Sequence, residues 1–261
     1  LPGLVIQSVD VRRRDLRIPI PVRFAARLCG RRVERLSRRG KYLLWHFDGG
    51  LVLICHLGMS GRMLLDGAKG APPQSHDHVQ FVFDNGIGVT FRDPRRFGLM
   101  DLTTETKVAT HKLLAAMGPE PLEDGFDGKY LAAALKGRKS PLKTALLDQR
   151  IVAGLGNIYV CEALYRAGLS PQRKAGTVGQ VRGDRLVTAI RETLRAAIAA
   201  GGSSLKDYVQ ASGELGYFQH KFAVYGRTGE HCPRCPPGSN CRVRQITQSG
   251  RSTFYCPTHQ R

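Results

Sequence analysis

The chain has 261 residues, of which 42% are hydrophobic and 23% charged, proportions that are ordinary for a globular protein. A total of 40 Lys and Arg residues against 21 Asp and Glu gives a formal net charge of +19, which favours a polyanionic partner, first of all nucleic acid. The absence of a bilayer-length apolar run excludes a membrane-spanning helix, and the start LPGLVIQSVDVRRRD lacks a secretory signal pattern, so we expect a cytoplasmic protein with no membrane partner.

The first part of the chain, from Val5 to Leu102, has the pattern of β-strands separated by turn-forming residues. The tripeptide Asp84-Asn85-Gly86 lies between two apolar runs and predicts a tight β-hairpin. We therefore predict an antiparallel β-sandwich or barrel here. The strand-like runs are KYLLWHF, LVLICHL, VQFVF and GVTF.

Helical patterns follow Pro119-Glu120-Pro121. In the segment LKTALLDQRIVAGLGNIY, two helical patterns are joined by a glycine-rich turn, and Asn157 is placed to begin the second helix. The last helix is long, and Thr177 with Gln180 suggests a capping box at its start. Its apolar residues recur every four positions, which predicts a core-facing stripe of Leu186, Ile190, Leu194 and Ile198.

Four of the seven cysteines lie in the last thirty residues, in a basic segment. Cys232-x-x-Cys235 and Cys256-x-x-His259 are two ligand pairs with zinc spacing, which predicts one structural zinc ion at the base of a β-hairpin. Cys241 competes for a ligand position. The remaining three cysteines are expected to be reduced, buried thiols: Cys29, Cys55 and Cys161.

Several residues are candidates for contact with nucleic acid. The tip of the predicted zinc hairpin, Gln248–Thr253, carries Arg251. The glycine-rich turn before Asn157 leaves free N–H groups at a helix start, which suit a phosphate group. As a bare helix-turn-helix, this segment is also compatible with an ordinary helix connection.

In the β-rich part, Met59 lies in HLGMSG, and Arg95 and Phe97 lie in DPRRFG. An arginine and two apolar side chains on loops are able to enter a duplex and fill the gap left by a displaced base. Taken singly, residues such as Met59 and Phe97 are more often core residues, and Lys41 is equally compatible with a solvated lysine at a strand start.

These motifs, taken in order, resemble those of the bacterial formamidopyrimidine-DNA glycosylases, and the likeness extends over nearly the whole chain. The resemblance implies an α+β multidomain protein: a β-sandwich at 1–118, shortened at its start, a helix-two-turns-helix domain at 119–213, and a zinc finger at 214–261. The matching motifs are RRGKYLL, HLGMSG, SHDHV, DPRRFG, GPEPL, DQRIVAGLGNIYVCEALYRAGLSP, GYFQHKFAVYGR and GRSTFYC.

The implied activity is base-excision repair. A glycosylase of this family removes oxidised purines such as 8-oxoguanine and formamidopyrimidines from double-stranded DNA, and its lyase activity cleaves the backbone at the abasic site. The protein is expected to act as a monomer beside the nucleoid of a bacterial cytoplasm. The resemblance implies that Met59, Arg95 and Phe97 fill the hole in the duplex, with Arg95 facing the orphaned base.

The resemblance also assigns contacts with the DNA backbone. His76, Lys139 and Asn157 would hold phosphates, and Arg251 would grip those around the flipped nucleotide. Lys41 would act in the elimination steps. The segment SSLKDYVQASGELGYFQ resembles the lesion-recognition loop, which favours this branch over the endonuclease VIII type.

The start of the chain departs from the family pattern. Family members begin with a proline whose free amine attacks the sugar C1′, followed by a glutamate acid, whereas this chain reads LPGLVIQSV and the nitrogen of Pro2 is acylated by Leu1. Two interpretations remain: the natural start lies upstream of Leu1, or the protein binds lesions and abasic sites without catalysing base removal. A third, more distant interpretation is a zinc-ribbon protein of the translation machinery.

Overall fold

The computed structural model describes residues 1–66, 73–203 and 216–261. The chain divides into two compact units. The first contains Leu1–Ala115, and the second contains Ala116–Gly202 together with Tyr217–Arg261. Within the described residues, no helix is both long enough and apolar enough to cross a membrane.

The first unit is an antiparallel β-sandwich, as the sequence predicts. One four-stranded sheet has the order β1-β6-β7-β5 and the other has the order β2-β3-β4-β8. Aromatic side chains from both sheets, including Trp45 and Phe81, fill the core between them. The strands are β1 Ile6–Val11, β2 Val33–Arg39, β3 Tyr42–Phe47, β4 Leu51–His56, β5 Arg62–Asp66, β6 Asp77–Phe83, β7 Gly88–Arg92 and β8 Leu99–Thr104, with short helices α1 Phe24–Leu28 and α2 Glu105–Val108.

The hairpin between β6 and β7 forms at the predicted Asp84-Asn85-Gly86 turn. Gly86 has φ 85°, a left-handed conformation that a side chain would strain. The Asn85 side-chain oxygen accepts the N–H of Ile87 at 3.0 Å, and Phe83 donates its N–H to the Ile87 carbonyl at 2.9 Å. Local turn chemistry therefore sets the register of these two strands.

The second unit combines helices with a C-terminal β-hairpin. Its helices and strands are α3 Gly128–Leu135, α4 Leu142–Leu146, α5 Asn157–Arg166, α6 Gln180–Ala199, β9 Arg244–Gln248 and β10 Arg251–Tyr255. Apolar residues of α5 and α6, such as Leu164 and Ile190, share one buried cluster with Phe254 of the hairpin. The hairpin and the helices are thus packed as one body.

The connection from α4 to α5 is organised by the side chain of Gln149. Its amide nitrogen donates to the carbonyls of Leu147 at 3.1 Å and Leu155 at 3.2 Å, and its oxygen accepts the N–H of Gly154 at 2.8 Å. Gly154 has φ 77°, which explains a glycine at this position. The helix that follows begins at Asn157, as the sequence predicts.

A buried carboxylate attaches the segment before the hairpin to α5. Glu162 is almost fully buried, and one of its oxygens accepts the N–H groups of Val224 at 3.0 Å and Tyr225 at 2.8 Å. The other oxygen accepts the N–H of Ala223 at 2.9 Å. A buried charge is tolerable because three backbone donors satisfy it.

Two predictions about α6 are wrong. Thr177 does not cap the helix, because it lies in a 3-10 turn and its hydroxyl donates to the Lys174 carbonyl at 2.8 Å. Gly179 occupies the capping position instead. Leu186 is buried but Ile198 is 67% exposed. Each four-residue step overshoots a helical turn by about 40°, so three steps rotate Ile198 about 120° away from the direction of Leu186.

Candidate nucleic-acid interface and metal cluster

Two neighbouring loops of the sandwich carry Met59, Arg95 and Phe97. Met59 follows β4 and is 68% exposed, and Phe97 lies between β7 and β8 and is 44% exposed. The Arg95 guanidinium lies 4.7 Å from the centre of the Phe97 ring, so the two side chains stack. The alternative that Met59 and Phe97 are core residues is therefore wrong.

The two loops are held together by the buried carboxylate of Asp93. One of its oxygens accepts the Ser60 hydroxyl at 2.6 Å, and the other accepts the N–H of Gly98 at 2.8 Å. The Ser60 oxygen in turn accepts the N–H of Arg95 at 3.2 Å. At Gly58, a Cβ atom would lie 2.5 Å from the Phe97 carbonyl carbon, so only glycine permits this approach of the loops.

His56 anchors the base of the Met59 loop. Its Nδ1 accepts the N–H of Gly58 at 2.9 Å, which requires that nitrogen to be unprotonated. Burial lowers the pKa of His56 to about 4, and the positive charges of Arg17 and Lys41 lower it further in the same direction. Lys41 itself is exposed in the turn between β2 and β3, next to Tyr42, whose ring lies 4.9 Å from that of His56.

His76 is exposed beside the same loops. Its backbone has φ 70°, and its carbonyl accepts the N–H of Asp93 at 3.1 Å. The neighbouring His78 is buried and donates from Nε2 to the Asp93 carbonyl at 2.8 Å. The structure thus places His76 against the backbone of the loop that carries Arg95.

In the second unit, Asn157 and a buried lysine meet at one carbonyl of the hairpin. Asn157 donates from Nδ2 to the Ser252 carbonyl at 3.0 Å, while its Oδ1 is buried without a partner in the described residues. Lys143 of α4 donates from Nζ to the same carbonyl at 3.1 Å and to the Thr253 hydroxyl at 2.7 Å. Burial lowers the pKa of Lys143, and the nearby charge of Arg251 acts in the same direction.

The sequence singles out Lys139, whereas the lysine that the structure places at the hairpin is Lys143. Lys139 is exposed after α3, and within the described residues the structure records no hydrogen bond or ion pair for it. Lys143, four residues later, is fully buried at the base of the hairpin. A lysine inside the apolar pattern LKTALL was the available signal, because a buried lysine requires acceptors from elsewhere in the fold.

Arg251 lies at the tip of the hairpin, as predicted. Ser249 and Gly250 form the two-residue turn with φ 49° and 71°, and Arg251 pairs with Gln248 across it. The Gln248 amide donates to the Pro171 carbonyl at 3.2 Å, which attaches the tip to the helical part of the unit. The Arg251 side chain is exposed at this attached hairpin tip.

The predicted lesion-recognition segment falls mostly on residues 204–215, outside the described residues. Of its described end, Phe218 is buried against Ala197 of α6 and against Phe222.

Four cysteine sulfurs form the metal cluster. The sulfurs of Cys232, Cys235, Cys241 and Cys256 all lie within 4.8 Å of one another, and all four residues are buried. The Cys235 and Cys256 sulfurs are 3.8 Å apart, close to the spacing of about 3.8 Å that a tetrahedral site with Zn–S bonds of about 2.3 Å requires. Burial raises the pKa of Cys256 to about 11, and a bound dication would reverse this effect. The four thiols fit one structural zinc ion.

The predicted ligand set needs one correction. His259 is outside the cluster: its Nε2 donates to the Tyr165 carbonyl at 3.1 Å, and its backbone N–H donates to the Cys256 sulfur at 3.2 Å. Cys241 takes the fourth position, because the turn formed by 236–240 brings it back to Cys232, whose N–H donates to its carbonyl at 3.4 Å. Both Cys235 and Cys241 therefore belong to the site.

The corrected ligand set predicts that Cys241→Ser loses zinc, because an alcohol replaces a thiolate ligand, whereas His259→Gln keeps about one zinc per chain. Zinc content of the purified variants, measured by mass spectrometry, checks this. Zinc retained by Cys241→Ser and lost by His259→Gln would instead favour the histidine as ligand.

His56 predicts a pH-dependent stability of the first unit. Its pKa is about 4 in the folded state and 6.5 when unperturbed, so the unfolded chain binds the proton first as pH falls. The stability contribution is therefore complete above pH 6.5 and is lost progressively towards pH 4. Between pH 7 and 4.5, we expect the free energy of unfolding to fall by about 1–2 kcal/mol more in the parent protein than in His56→Asn. This value is reduced for the partial exposure of the ring. Denaturant unfolding of both proteins at the two pH values measures this difference, and an equal fall in the free energy of unfolding would contradict the prediction.

Comparisons with known proteins cover both units. Residues 1–100 match the model of the formamidopyrimidine-DNA glycosylase N-terminal domain, and residues 117–209 match the model of its H2TH domain. A formamidopyrimidine-DNA glycosylase of Ruegeria pomeroyi is 58% identical over 268 aligned residues, covering 100% of this chain and 94% of the relative.

Solved structures agree with this match. The Lactococcus lactis Fpg in complex with abasic-site DNA has a TM-score of 0.90 and 34% identity, covering 100% of this chain and 94% of that one. A Lactococcus lactis Fpg mutant in complex with DNA containing Fapy-dG has a TM-score of 0.89 and 33% identity, covering 100% and 93%. From its first unit to its helical domain, this chain belongs to the formamidopyrimidine-DNA glycosylase family.

Proposed function

We propose that this protein is a base-excision repair enzyme that removes oxidised purines from duplex DNA and then cleaves the strand at the abasic site. The observation that carries the proposal is the stacked, exposed pair Arg95 and Phe97 on a loop fixed by a buried carboxylate, in a chain of this family. A net charge of +19 supports DNA as the partner. We place its activity on chromosomal DNA in a bacterial cytoplasm, where it acts as a monomer.

The sandwich loops provide the wedge for base extrusion. Taking a base out of the stack costs a few kcal/mol, and side chains that fill the gap offset part of this cost. Met59 and Phe97 supply apolar surface, and Arg95 supplies donors for the unpaired base on the opposite strand. Because Asp93 and Ser60 fix these loops before DNA binds, little further ordering is needed.

The second unit provides the contacts with the phosphate backbone of the DNA. Arg251 at the hairpin tip offers a planar fork of donors to phosphate oxygens, and the start of α5 at Asn157 offers backbone N–H groups. Lys143 acts as a positioning residue through the Ser252 carbonyl. We also assign phosphate contacts to His76 and Lys139, both of which are exposed.

The chemistry follows from the family. An amine attacks C1′ of the flipped nucleotide, and the glycosidic bond breaks with its electron pair leaving on the damaged base, which takes up the amine proton. The C1′–O4′ bond of the sugar ring then breaks with its electron pair on O4′, which is protonated, and the amine nitrogen and C1′ form an iminium. Loss of a C2′ proton then expels the phosphate at C3′. Lys41, whose charge reaches His56 at the base of the Met59 loop, is assigned to these elimination steps.

A duplex with 8-oxoguanine opposite cytosine tests the activity. We expect borohydride to trap a covalent protein–DNA adduct and untrapped reactions to release cleaved strand, in the 261-residue chain or in a form extended upstream of Leu1 as the genome encodes it. Tight lesion binding with neither adduct nor cleavage in both forms would favour the non-catalytic binder instead. Preference for ribosomal RNA over lesion DNA would favour the translation-machinery interpretation.

The role of Arg251 gives a quantitative prediction. Arg251→Ala should weaken binding to a duplex with a tetrahydrofuran abasic analogue about tenfold and reduce the slope of log affinity against log salt by about one unit. Arg195→Ala, an exposed arginine of α6, is the matched control and should change neither. An unchanged salt slope in Arg251→Ala would remove this residue from the backbone contacts.

A further inference from the structure

A positively charged cavity lies within the helical unit, away from Asn157. It is open to solvent and has a volume of about 450 Å³. It lies at the end of α5, between the start of α6 and the two segments that contain Arg234 and His259. Six arginines line it: Arg166, Arg173, Arg182, Arg185, Arg234 and Arg261.

The charge of this arginine cavity is almost uncompensated. Within the described residues, only Arg166 has an ion-pair partner, Glu192, at the long distance of 4.0 Å. Arg182 and Arg185 project from the first two turns of α6, and in the described part of the chain the structure records neither a hydrogen bond nor an ion pair for them. Gathering like charges in one concavity is unfavourable unless an anion joins them.

Two of the arginines are held in place by contacts other than ion pairs with acidic side chains. Arg173 donates to the Arg261 carbonyl at 3.2 Å and to the Thr177 hydroxyl at 3.4 Å. Arg234 donates to the Arg166 carbonyl at 3.1 Å, and its guanidinium lies 5.4 Å from the centre of the Tyr165 ring. These contacts fix the positions of the guanidinium groups, which reduces the ordering needed to bind a ligand.

The arginine cavity is separate from the lesion-binding residues of its unit. Asn157 is the first residue of α5 and Arg166 is the last. At a rise of 1.5 Å per residue, the two ends lie about 14 Å apart along the helix axis. The lesion chemistry assigned above uses none of the six arginines.

We propose that the arginine cavity binds the phosphate groups of a ligand distinct from the lesion duplex. Arginine forks match phosphate oxygens two at a time, and several forks around one concavity suit two or more adjacent phosphates better than a single carboxylate. Such phosphates come either from a free polyphosphate or nucleotide, or from a second segment of nucleic-acid backbone. This site goes beyond the proposed repair activity.

Calorimetric titration with inorganic pyrophosphate tests the site in the full chain. The protein is first saturated with the tetrahydrofuran duplex, so that the lesion-binding surface is occupied, and a chromophoric chelator reports any zinc released. We expect one pyrophosphate per chain. Arg182→Gln and Arg185→Gln should each weaken the affinity for pyrophosphate about fivefold to tenfold, the loss expected for one charge-assisted contact.

Arg195→Gln is the matched control, because it removes the same charge from an exposed position of α6 outside the cavity. It should leave pyrophosphate affinity within twofold of the parent. Equal weakening by all three substitutions, or no binding to the DNA-saturated parent, would overturn the proposal. Cleavage of lesion duplex by Arg182→Gln and Arg185→Gln should stay within twofold of the parent, so failure here is distinguishable from failure of the repair activity.

A second titration separates the two sources of phosphate. An undamaged, labelled single-stranded oligonucleotide is added to the DNA-saturated protein with and without excess pyrophosphate. Binding that pyrophosphate displaces and that Arg185→Gln weakens would identify nucleic-acid backbone as the ligand. Pyrophosphate binding that the oligonucleotide leaves unchanged would identify a free polyphosphate or nucleotide.

Discussion

The Ser252 carbonyl is the point on which the arrangement of the second unit depends. It accepts hydrogen bonds from the ammonium of Lys143 and from the amide of Asn157, and it lies one residue after Arg251. A buried ammonium is costly unless acceptors surround it, so Lys143 strongly favours the conformation in which the hairpin supplies them. The direction of the exposed Arg251 is thereby coupled to the start of α5.

The first unit uses the same principle with the opposite charge. The buried carboxylate of Asp93 gathers donors from two loops, and Arg95 and Phe97 are exposed at the surface of the loop it fixes. In both units a buried charge with hydrogen-bond partners fixes a short segment, and the side chains proposed to contact DNA extend from that segment. Because these segments are already fixed, the protein loses less conformational entropy when it binds the distorted duplex.

Features set by local chemistry could be predicted from the sequence, and features set by tertiary packing could not. The hairpin at 84–86 follows from its turn residues alone. The zinc spacing indicated the cluster, but the choice of Cys241 over His259 depends on a turn that no spacing rule describes. The pattern LKTALL indicates that Lys143 is buried, but its acceptors could not be predicted because they lie more than a hundred residues later in the chain. Ile198 is exposed because a four-residue repeat drifts around a helix.

The most direct test of the central coupling is a double-mutant cycle on binding to tetrahydrofuran-containing duplex, with Lys143→Met and Arg251→Ala. Zinc content and thermal unfolding confirm that each variant is folded. If the Ser252 carbonyl positions the hairpin tip, Lys143→Met already displaces Arg251, and Arg251→Ala then costs at most about twofold instead of about tenfold. An Arg251→Ala penalty that is the same with lysine and with methionine at position 143 would contradict this coupling.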